Sequence, residues 1–422
     1  MKEAFLHYVW QYQQFQAPAL KTTQGEEVTV LKTGYHNVDA GPDFLEAKLK
    51  IGSLEWSGAV EIHINSSDWQ LHKHDNDPNY QNVILHVVWA DNHPISYGDG
   101  KKIPTLILQN KVSLQLVDHY KVLVEDRAEI ACGANWQSVD PFRVSQMLES
   151  SLVERLQQKS QKAAAFLEYT ADDWEATSYF MLLSAFGFKI NAHGFERLAY
   201  LLPYDLIRKY RMYPQSMLAL LFGVSGFLEA SFDETVKQEL KKDWKFLQHK
   251  HQISNILAKH EWNFLRLRPA NFPTVRLAQL AHLLGAFDSL FNAFLINNDV
   301  SYLKQQLEFK VKNIWYIKAA QKVPWINFGK QSIQHLILNI SPPLLALYAR
   351  KVDNFSYMDK AFEVLSQLNA EDNKILRKYK ALGEKPKSAY ESQAFLQLYS
   401  SYCQPKRCLN CKIGLAIMKD AS

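Results

Sequence analysis

Residues 44–64 have the sequence FLEAKLKIGSLEWSGAVEIHI, and this stretch decides the fold of the N-terminal part of the chain. Residues 44–51 and 55–64 each have a strand-like composition, and Gly52 and Ser53 between them are typical of a turn. The stretch therefore predicts a β-hairpin. Around it we expect a helix at residues 2–16, strands at 26–32, 83–90 and 102–108, and a short helix beginning near Ser66.

The pattern changes after about residue 112, where most segments have the length and periodicity of helices. The predicted helical segments are 112–127, 142–167, 172–187, 193–202, 214–222, 233–259, 273–295, 299–308, 331–349, 357–369 and 389–402. We expect Pro203, Pro269, Pro273, Pro342 and Pro343 to interrupt the helices. The predicted fold class is α/β plus all-α, with an α/β domain over residues 1–112 and a large helical domain over residues 113–422.

The composition of the chain is that of a globular protein, with 47% hydrophobic and 22% charged residues among 422. The net charge of +5 permits binding to nucleic acid but does not argue for it. The first fifteen residues lack the apolar core of a leader peptide, and no run of about 18 apolar residues indicates a membrane span. We therefore expect a cytoplasmic protein without a membrane partner; the sequence does not indicate its oligomeric state.

A dense group of acidic residues and histidines lies between Asp39 and His86. Glu61 and His63 are two apart on a predicted strand, so their side chains leave the same face of the sheet. If the hairpin loop has three residues, Asp43 pairs opposite His63 and joins that face. A two-residue loop would place Asp43 on the other face, so the predicted site depends on the register of the hairpin.

Asp43 and Glu61 are predicted to hold Mg²⁺ or Mn²⁺, because carboxylates are hard ligands that suit these ions. His63 would then position or deprotonate a water molecule. Asp68, His72 and His74 would support the site by joining the metal shell or contacting phosphate. Alternatively, Asp68 caps a helix and the two histidines are exposed at its end. His86, inside an apolar strand, is expected to be a core histidine rather than a ligand.

The order of these motifs resembles the PD-(D/E)xK, or restriction-endonuclease-like, nuclease superfamily. Its pattern is a helix, a strand, Pro-Asp, a hairpin, Glu-x-Lys, a helix and a strand. Pro42 and Asp43 match the first motif, and Glu61-Ile62-His63 matches the second with His in place of Lys. The resemblance implies a small restriction-endonuclease-like core and a metal-dependent nuclease that hydrolyses phosphodiester bonds in DNA or RNA.

Two other hypotheses fit the same residues. The replacement of Lys by His and the weak net charge also suit a catalytically inactive nuclease-fold module that binds nucleic acid or protein. A third hypothesis is a metalloenzyme that uses Zn²⁺ at the histidine-rich cluster for another hydrolysis. A histidine-dominated site prefers Zn²⁺ or Mn²⁺, whereas a carboxylate site prefers Mg²⁺, so the metal preference separates the first hypothesis from the third.

The chain as a whole resembles a bacterial family named domain of unknown function 2851. The resemblance is carried by AGPDF at 40–44, WSGAVEIH at 56–63, SDWxxH at 67–72, YxNVILHVV at 80–88, RLRPANFPTVRLAQ at 266–279 and the cysteine motif that ends at residue 411. This family implies no particular activity.

The four cysteines have the spacing of a metal site. Cys403, Cys408 and Cys411 form a C-x4-C-x2-C motif, and Cys132 is the remaining cysteine. A Zn²⁺ ion held by all four thiolates is the simpler prediction, and an iron–sulfur cluster is the alternative. The other possibility is that all four are reduced and unliganded. If all four thiols meet, a metal would close a long loop between the end of the chain and the α/β core.

Arg266, Arg268 and Arg276 surround a proline-rich turn, and guanidinium groups suit phosphates. They are candidate nucleic-acid-binding residues. The alternative is that they bridge helices by bonding to exposed carbonyl groups.

Overall fold

The computed structural model describes residues 1–15, 20–37, 39–97, 100–125, 128–229, 234–297, 299–312 and 325–419. The chain forms two compact units. The first comprises Met1–Glu149 together with Leu398–Ser422, and the second comprises Ser150–Gln397. Both ends of the chain therefore belong to the first unit.

The first unit is built around a mixed sheet. Its elements are α1 (Glu3–Gln11), β1 (Val28–Lys32), β2 (Tyr35–His36), β3 (Phe44–Ile51), β4 (Leu54–Asn65), α2 (Asp68–Leu71), β5 (Val83–Ala90), β6 (Thr105–Ile107), α3 (Leu114–Glu125), the start of α4 (Pro141–Tyr169) and, after the second unit, α16 (Lys412–Lys419). The sheet order is β1-β3-β4-β5-β6, with β2 also paired to β3. The α/β prediction for this part of the chain is confirmed.

The hairpin of β3 and β4 closes through a two-residue turn, because Ile51 pairs with Leu54. If the pairing continued regularly from this turn, the Asp43 side chain would lie on the opposite face of the sheet from Glu61. Instead, Phe44 pairs with Val60 while Ala47 pairs with Gly58, so β3 contains one extra residue. This β-bulge includes Glu46, whose φ of 56° is left-handed. The bulge shifts the register by one residue and brings Asp43 beside Glu61.

The sheet is covered by apolar side chains. Helix α1 contributes Phe5, Leu6, Val9 and Trp10, all fully buried, and the Phe5 ring stacks on Tyr120 of α3 at 4.3 Å. A second cluster contains Ala59, Trp69, Tyr80, Val83, Ile95 and Ile103. Strands β4 and β5 run parallel, and their centres are buried on both faces, as continuous apolar strands require. The polar residues of β4 are thereby held in a largely dry environment.

The second unit is mostly helical. Its elements are the rest of α4, then α5 (Trp174–Phe186), α6 (Ala192–Leu201), α7 (Tyr204–Lys209), α8 (Pro214–Val224), α9 (Glu234–Lys250), α10 (Pro273–Ala286), α11 (Val300–Gln306), β7 (Lys310–Lys312), β8 (Trp325–Asn327), α12 (Lys330–Lys351), α13 (Ser356–Ser366), α14 (Lys374–Ala381) and nearly all of α15 (Ala389–Leu398). The helical prediction is confirmed. Within the described residues, no helix is both long enough and apolar enough to cross a membrane.

Pro342 and Pro343 do not end a helix, contrary to the prediction that prolines interrupt this region. Both lie inside α12, whose central residues are buried. The Ser341 hydroxyl donates to the Phe294 carbonyl in the same region. Tertiary packing therefore offsets the loss of two backbone N–H donors.

The second unit holds a lysine that is difficult to protonate. The Lys159 Nζ lies 3.0 Å from the Asn339 Oδ1, and the side chain is partly buried. Burial, with a smaller effect of Arg155, lowers the pKa of Lys159 from 10.5 to about 7. Between these two pH values the unfolded chain binds a proton that the folded chain lacks. The free energy of unfolding should therefore rise with pH over this range.

Replacing Lys159 with Met should remove this part of the pH dependence. At pH 7 we expect Lys159→Met to be at least as stable as the wild type, and the wild type to gain roughly 1–2 kcal/mol relative to it by pH 10. Urea denaturation at several pH values measures the effect. Lys162→Met, at an exposed lysine that pairs with Glu196, is the control and should keep the wild-type slope. Equal slopes for the wild type and Lys159→Met would contradict the assignment.

Candidate metal centre

Three histidines of the first unit lie close together. In the described part of the chain, His63, His72 and His74 are the one group of three His, Cys, Asp or Glu residues whose ligand atoms all lie within 4.8 Å of one another. His63 lies on β4, and the other two follow α2. Lys73 between them has a left-handed φ of 63°, which turns the chain sharply enough for both histidines to reach His63.

The carboxylate of Glu61 completes this cluster. Its Oε1 lies 3.5 Å from the His63 Nε2 and 3.4 Å from the His74 Nε2. The His63 Nε2 lies 3.1 Å from the His72 Nδ1. Ligands placed about 2.1 Å from one ion are separated by similar distances. Glu61 therefore lies at ligand-like distances from His63 and His74, while the described group whose ligand atoms all lie within 4.8 Å of one another consists of the three histidines.

Asp43 lies behind Glu61 rather than inside the histidine group. Its backbone N–H donates to the Glu61 Oε2 at 3.1 Å, and its own Oδ2 accepts from the Ile62 N–H at 2.9 Å. The same Oδ2 lies 3.4 Å from the His7 Nε2. Asp43 thus fixes the Glu61 carboxylate and links it to α1.

His63 is also held from its other side. Its Nδ1 lies 2.8 Å from the Nε2 of His86, which is fully buried on the parallel strand β5. The His86 Nδ1 has no hydrogen-bond partner in the described structure. A second histidine in this position fixes the ring orientation and the tautomer of the first, as partners of metal-bound histidines do.

Aromatic rings enclose His74. The Tyr80 ring stacks on it at 3.7 Å, and Trp69 lies edge-on at 5.4 Å. His74 also lines a cavity of about 1060 Å³ whose charged residues are mixed in sign, with Glu26 and Lys102 among them. His72 is exposed. The cluster is therefore accessible from two directions although Glu61 and His63 are buried.

Burial dominates the electrostatics of the cluster. Burial, together with the Asp43 carboxylate, raises the pKa of Glu61 to about 9. Burial and the neighbouring histidines lower the pKa of His63 to about 4, and burial also lowers the pKa of His74 and His86. The contacts between Glu61 and the histidines are therefore not ordinary ion pairs at neutral pH. The lowered pKa values of His63 and His74 favour the neutral form of imidazole, which is the form that binds metals.

The supporting residues take different places. His72 and His74 lie in the cluster, and their role in holding a metal ion or contacting phosphate stays a prediction. The Asp68 Oδ2 instead accepts the Asn65 N–H at 3.0 Å, which closes the turn after β4. His86 is buried as predicted, but it contacts the site through His63.

Sequence reasoning did not identify His7 as part of this region. Glu3 and His7 are four residues apart on α1, so they share a helix face. His7 contacts Asp43, and the Asp43 charge helps to raise the pKa of Glu3, which burial raises most. The sequence did contain a signal for this contact: an acidic residue and a histidine stand four residues apart on a helix that is otherwise mostly apolar.

All four cysteines are buried, free and in the first unit. Burial raises the pKa of the Cys132 thiol most, and Cys403, Cys411 and Cys408 each raise it further, so the four thiols share one region. Burial raises the pKa of the Cys411 thiol, and the N–H groups of Gly414 and Ile413, which bond to Cys411, oppose this rise without cancelling it. Within the described residues, however, no three of the sulphurs come within 4.8 Å of one another.

The three candidate arginines do not form one surface. Arg266 and Arg268 are exposed, whereas Arg276 is buried at 5% exposure. Arg276 donates to Asn271, to Gln279 and to Ser332 on α12. It therefore bridges α10 and α12.

The fold and the site define a class of protein in which a mixed-sheet α/β unit carries a cluster of three histidines and a glutamate, and a second unit is helical. The chain belongs to the family described as "Protein of unknown function (DUF2851)", which matches residues 3–374. Cys403 and the residues after it lie beyond this match. The chain shows no significant similarity to any curated protein or to any solved structure.

Proposed function

We propose that the first unit is a metal-dependent hydrolase that cleaves phosphodiester bonds in nucleic acid, with its metal ion at His63, His72 and His74. The observation that carries the proposal is the convergence of three imidazole nitrogens within 4.8 Å of one another, with the Glu61 carboxylate 3.4–3.5 Å from two of these histidines. This donor set favours Zn²⁺ or Mn²⁺ over the Mg²⁺ that a site of carboxylates alone would prefer.

The roles of the residues follow from their positions. A metal ion held here would lower the pKa of a water molecule and polarise a phosphoryl oxygen. The positive charge of that ion would favour the ionised form of Glu61, which lies next to two of the three histidines and would then accept the proton from the water. Asp43 positions Glu61 through its backbone N–H, and His86 orients His63. The element order helix, strand, hairpin, helix and strand, with Pro42-Asp43 and Glu61 in the expected places, supports phosphodiesters as the substrate class.

A catalytically inactive binding module is the second candidate. Among the described residues, no lysine or arginine pairs with Asp43 or Glu61. A nuclease site of the resembled type has a lysine here, and His63 occupies its position. Without such a cation, only a bound metal ion could stabilise the negative charge of the transition state. A site that binds no metal ion would therefore be inactive.

Loss of His72 should separate these candidates. Because His72 is exposed, His72→Ala should fold normally but bind Zn²⁺ or Mn²⁺ at least about tenfold more weakly. Hydrolysis of single- and double-stranded DNA and RNA should fall in parallel. The checks are elemental analysis, metal titration and nuclease assays with Zn²⁺, Mn²⁺ and Mg²⁺.

His119→Ala provides the control, since His119 is a half-buried histidine of the same unit on α3, where its Nδ1 lies 2.9 Å from the Gln115 carbonyl oxygen. It should behave as the wild type does. A wild-type protein that binds metal but cleaves none of these substrates would favour the binding module. Unchanged metal affinity in His72→Ala would show that His72 is not a ligand and would contradict the proposed metal centre.

We also propose that the four cysteines hold a structural Zn²⁺, with an iron–sulfur cluster as the alternative. The support is the burial of all four thiols in one region and the two N–H groups that bond to Cys411. Such a site would require the sulphurs to move closer together. Elemental analysis of Cys411→Ser should then show the loss of one metal that His72→Ala retains.

A further inference from the structure

The second unit contains a cavity of about 720 Å³ whose charged lining residues are all basic. Lys189, Arg268, Arg276 and Lys330 line it, and none of the described lining residues is Asp or Glu. A cavity of this size is sufficient for a small organic ligand. Four basic residues without an acidic neighbour in the lining favour an anion that carries more than one negative charge.

Arg276 is the buried member of this set. Its side chain is 5% exposed, yet its three hydrogen bonds go to the neutral groups of Asn271, Gln279 and Ser332. Its Nε has no partner, and among the described residues no carboxylate pairs with it. Buried charges in proteins are normally paired, so an unpaired guanidinium in a cavity points to a ligand that supplies the negative charge.

Aromatic rings hold the Arg276 guanidinium in place. Its central carbon lies 4.3 Å from the centre of the Phe188 ring and 5.3 Å from that of Phe328. Phe188 also stacks on His335 at 4.4 Å, and both residues line the cavity. The guanidinium is therefore pre-oriented, which reduces the entropy lost when its planar fork binds an oxyanion.

The N-terminus of α12 meets the same cavity. This helix has 22 residues and starts at Lys330, and its N-cap residue Gly329 provides no side-chain cap. A side chain at Gly329 would meet no atom within 4 Å, so there is open space at the helix end. Gly329, Lys330, Gln331 and Ser332 all line the cavity. Uncapped N–H groups and the helix dipole attract anions.

We propose that this cavity binds the dianionic phosphate group of a phosphate monoester between Arg276, Lys330 and the N-terminus of α12. The site lies in the second unit and is independent of the proposed hydrolase function. The monoester is either a small organic phosphate or the terminal phosphate of a nucleic acid. Both present the same dianion to the same groups.

Calorimetric titration of the full chain tests this site. The ligands are inorganic phosphate, ribose 5-phosphate, AMP and a 5′-phosphorylated oligonucleotide, with adenosine and acetate as ligands that lack the dianion. We expect inorganic phosphate, ribose 5-phosphate, AMP and the phosphorylated oligonucleotide to bind, and adenosine and acetate not to bind. Preference for AMP or ribose 5-phosphate identifies a small organic phosphate, and preference for the oligonucleotide over its unphosphorylated form identifies a nucleic-acid end.

Two variants locate the binding. Lys330→Ala, at an exposed position, should weaken phosphate binding about tenfold, and Arg276→Gln should abolish it. Lys374→Ala is the matched control, since Lys374 also begins a helix, but Asn373 already caps that helix. If Arg276→Gln fails to fold, Lys330→Ala still decides the question. No phosphate binding, equal binding of acetate, or equal weakening in Lys374→Ala would overturn the proposal.

Discussion

Replacing Glu61 with Gln should reduce hydrolysis on the order of 10²–10⁴-fold, the range expected when a positioned acid–base group is lost. Glutamine has the same shape and its amide oxygen can still accept the Asp43 N–H, which is now 3.1 Å from the Glu61 Oε2. The fold should therefore be retained. A bound metal ion would hold Glu61 in its carboxylate form, whereas glutamine cannot ionise at all, so the loss should fall on turnover more than on substrate affinity.

Glu55→Gln gives a matched control on the same strand. Glu55 lies near the start of β4 at an exposed position, far along the strand from the histidines. Steady-state nuclease kinetics for both variants, with circular dichroism to verify folding, provide the comparison. Equal activity in Glu61→Gln and the wild type would exclude Glu61 from the chemistry, and equal loss in Glu55→Gln would indicate a general effect of charge.

Replacing Gly414 with Ala should destabilise the first unit by roughly 2–3 kcal/mol, because the new methyl group has no space. A Cβ on Gly414 would lie 2.1 Å from the Cys408 carbonyl oxygen and 2.9 Å from its carbonyl carbon. Both are backbone atoms, so the turn at Cys408–Asn410 or helix α16 would have to move. The same movement should expose the Cys408 thiol, which now lies 3.7 Å from the Leu123 carbonyl oxygen.

Gly285→Ala on α10 is the corresponding control, since its Cβ would meet only the Arg211 oxygen at 3.4 Å. That variant should be neutral or slightly stabilised, as alanine favours helix. Chemical denaturation measures the stability, and the rate of thiol modification reports on the cysteine region. If Gly414→Ala kept wild-type stability and protected thiols, the backbone around Gly414 and Cys408 would have room for a methyl group, and the prediction would be wrong.

The strands were predictable because their hydrophobic patterns are local. The prediction of β3 at residues 44–51 matches the observed strand, and β4 differs by one residue at each end. The bulge was not predictable from the sequence. Glu46 adopts a left-handed φ, but glycine, the residue that usually indicates this conformation, is not at that position. The side of the sheet that Asp43 occupies depends on that single residue.

The histidine cluster was only partly evident from the sequence. The i, i+2 spacing of Glu61 and His63 indicated a shared face, but the contribution of His74 depends on the turn at Lys73. Helices α7, α14 and α16 were not predicted. They have six to eight residues each, too few to show a clear helical period in a sequence.

The assignment of both chain ends to the first unit bears on how the protein is made. During synthesis, the whole second unit leaves the ribosome before the segment that begins at Leu398. The second unit is one uninterrupted stretch, so it can fold while translation continues. The sheet and its histidines must meanwhile persist without their C-terminal helix. Nascent chains stalled before residue 398 should therefore have a protease-sensitive N-terminal part and a protected middle.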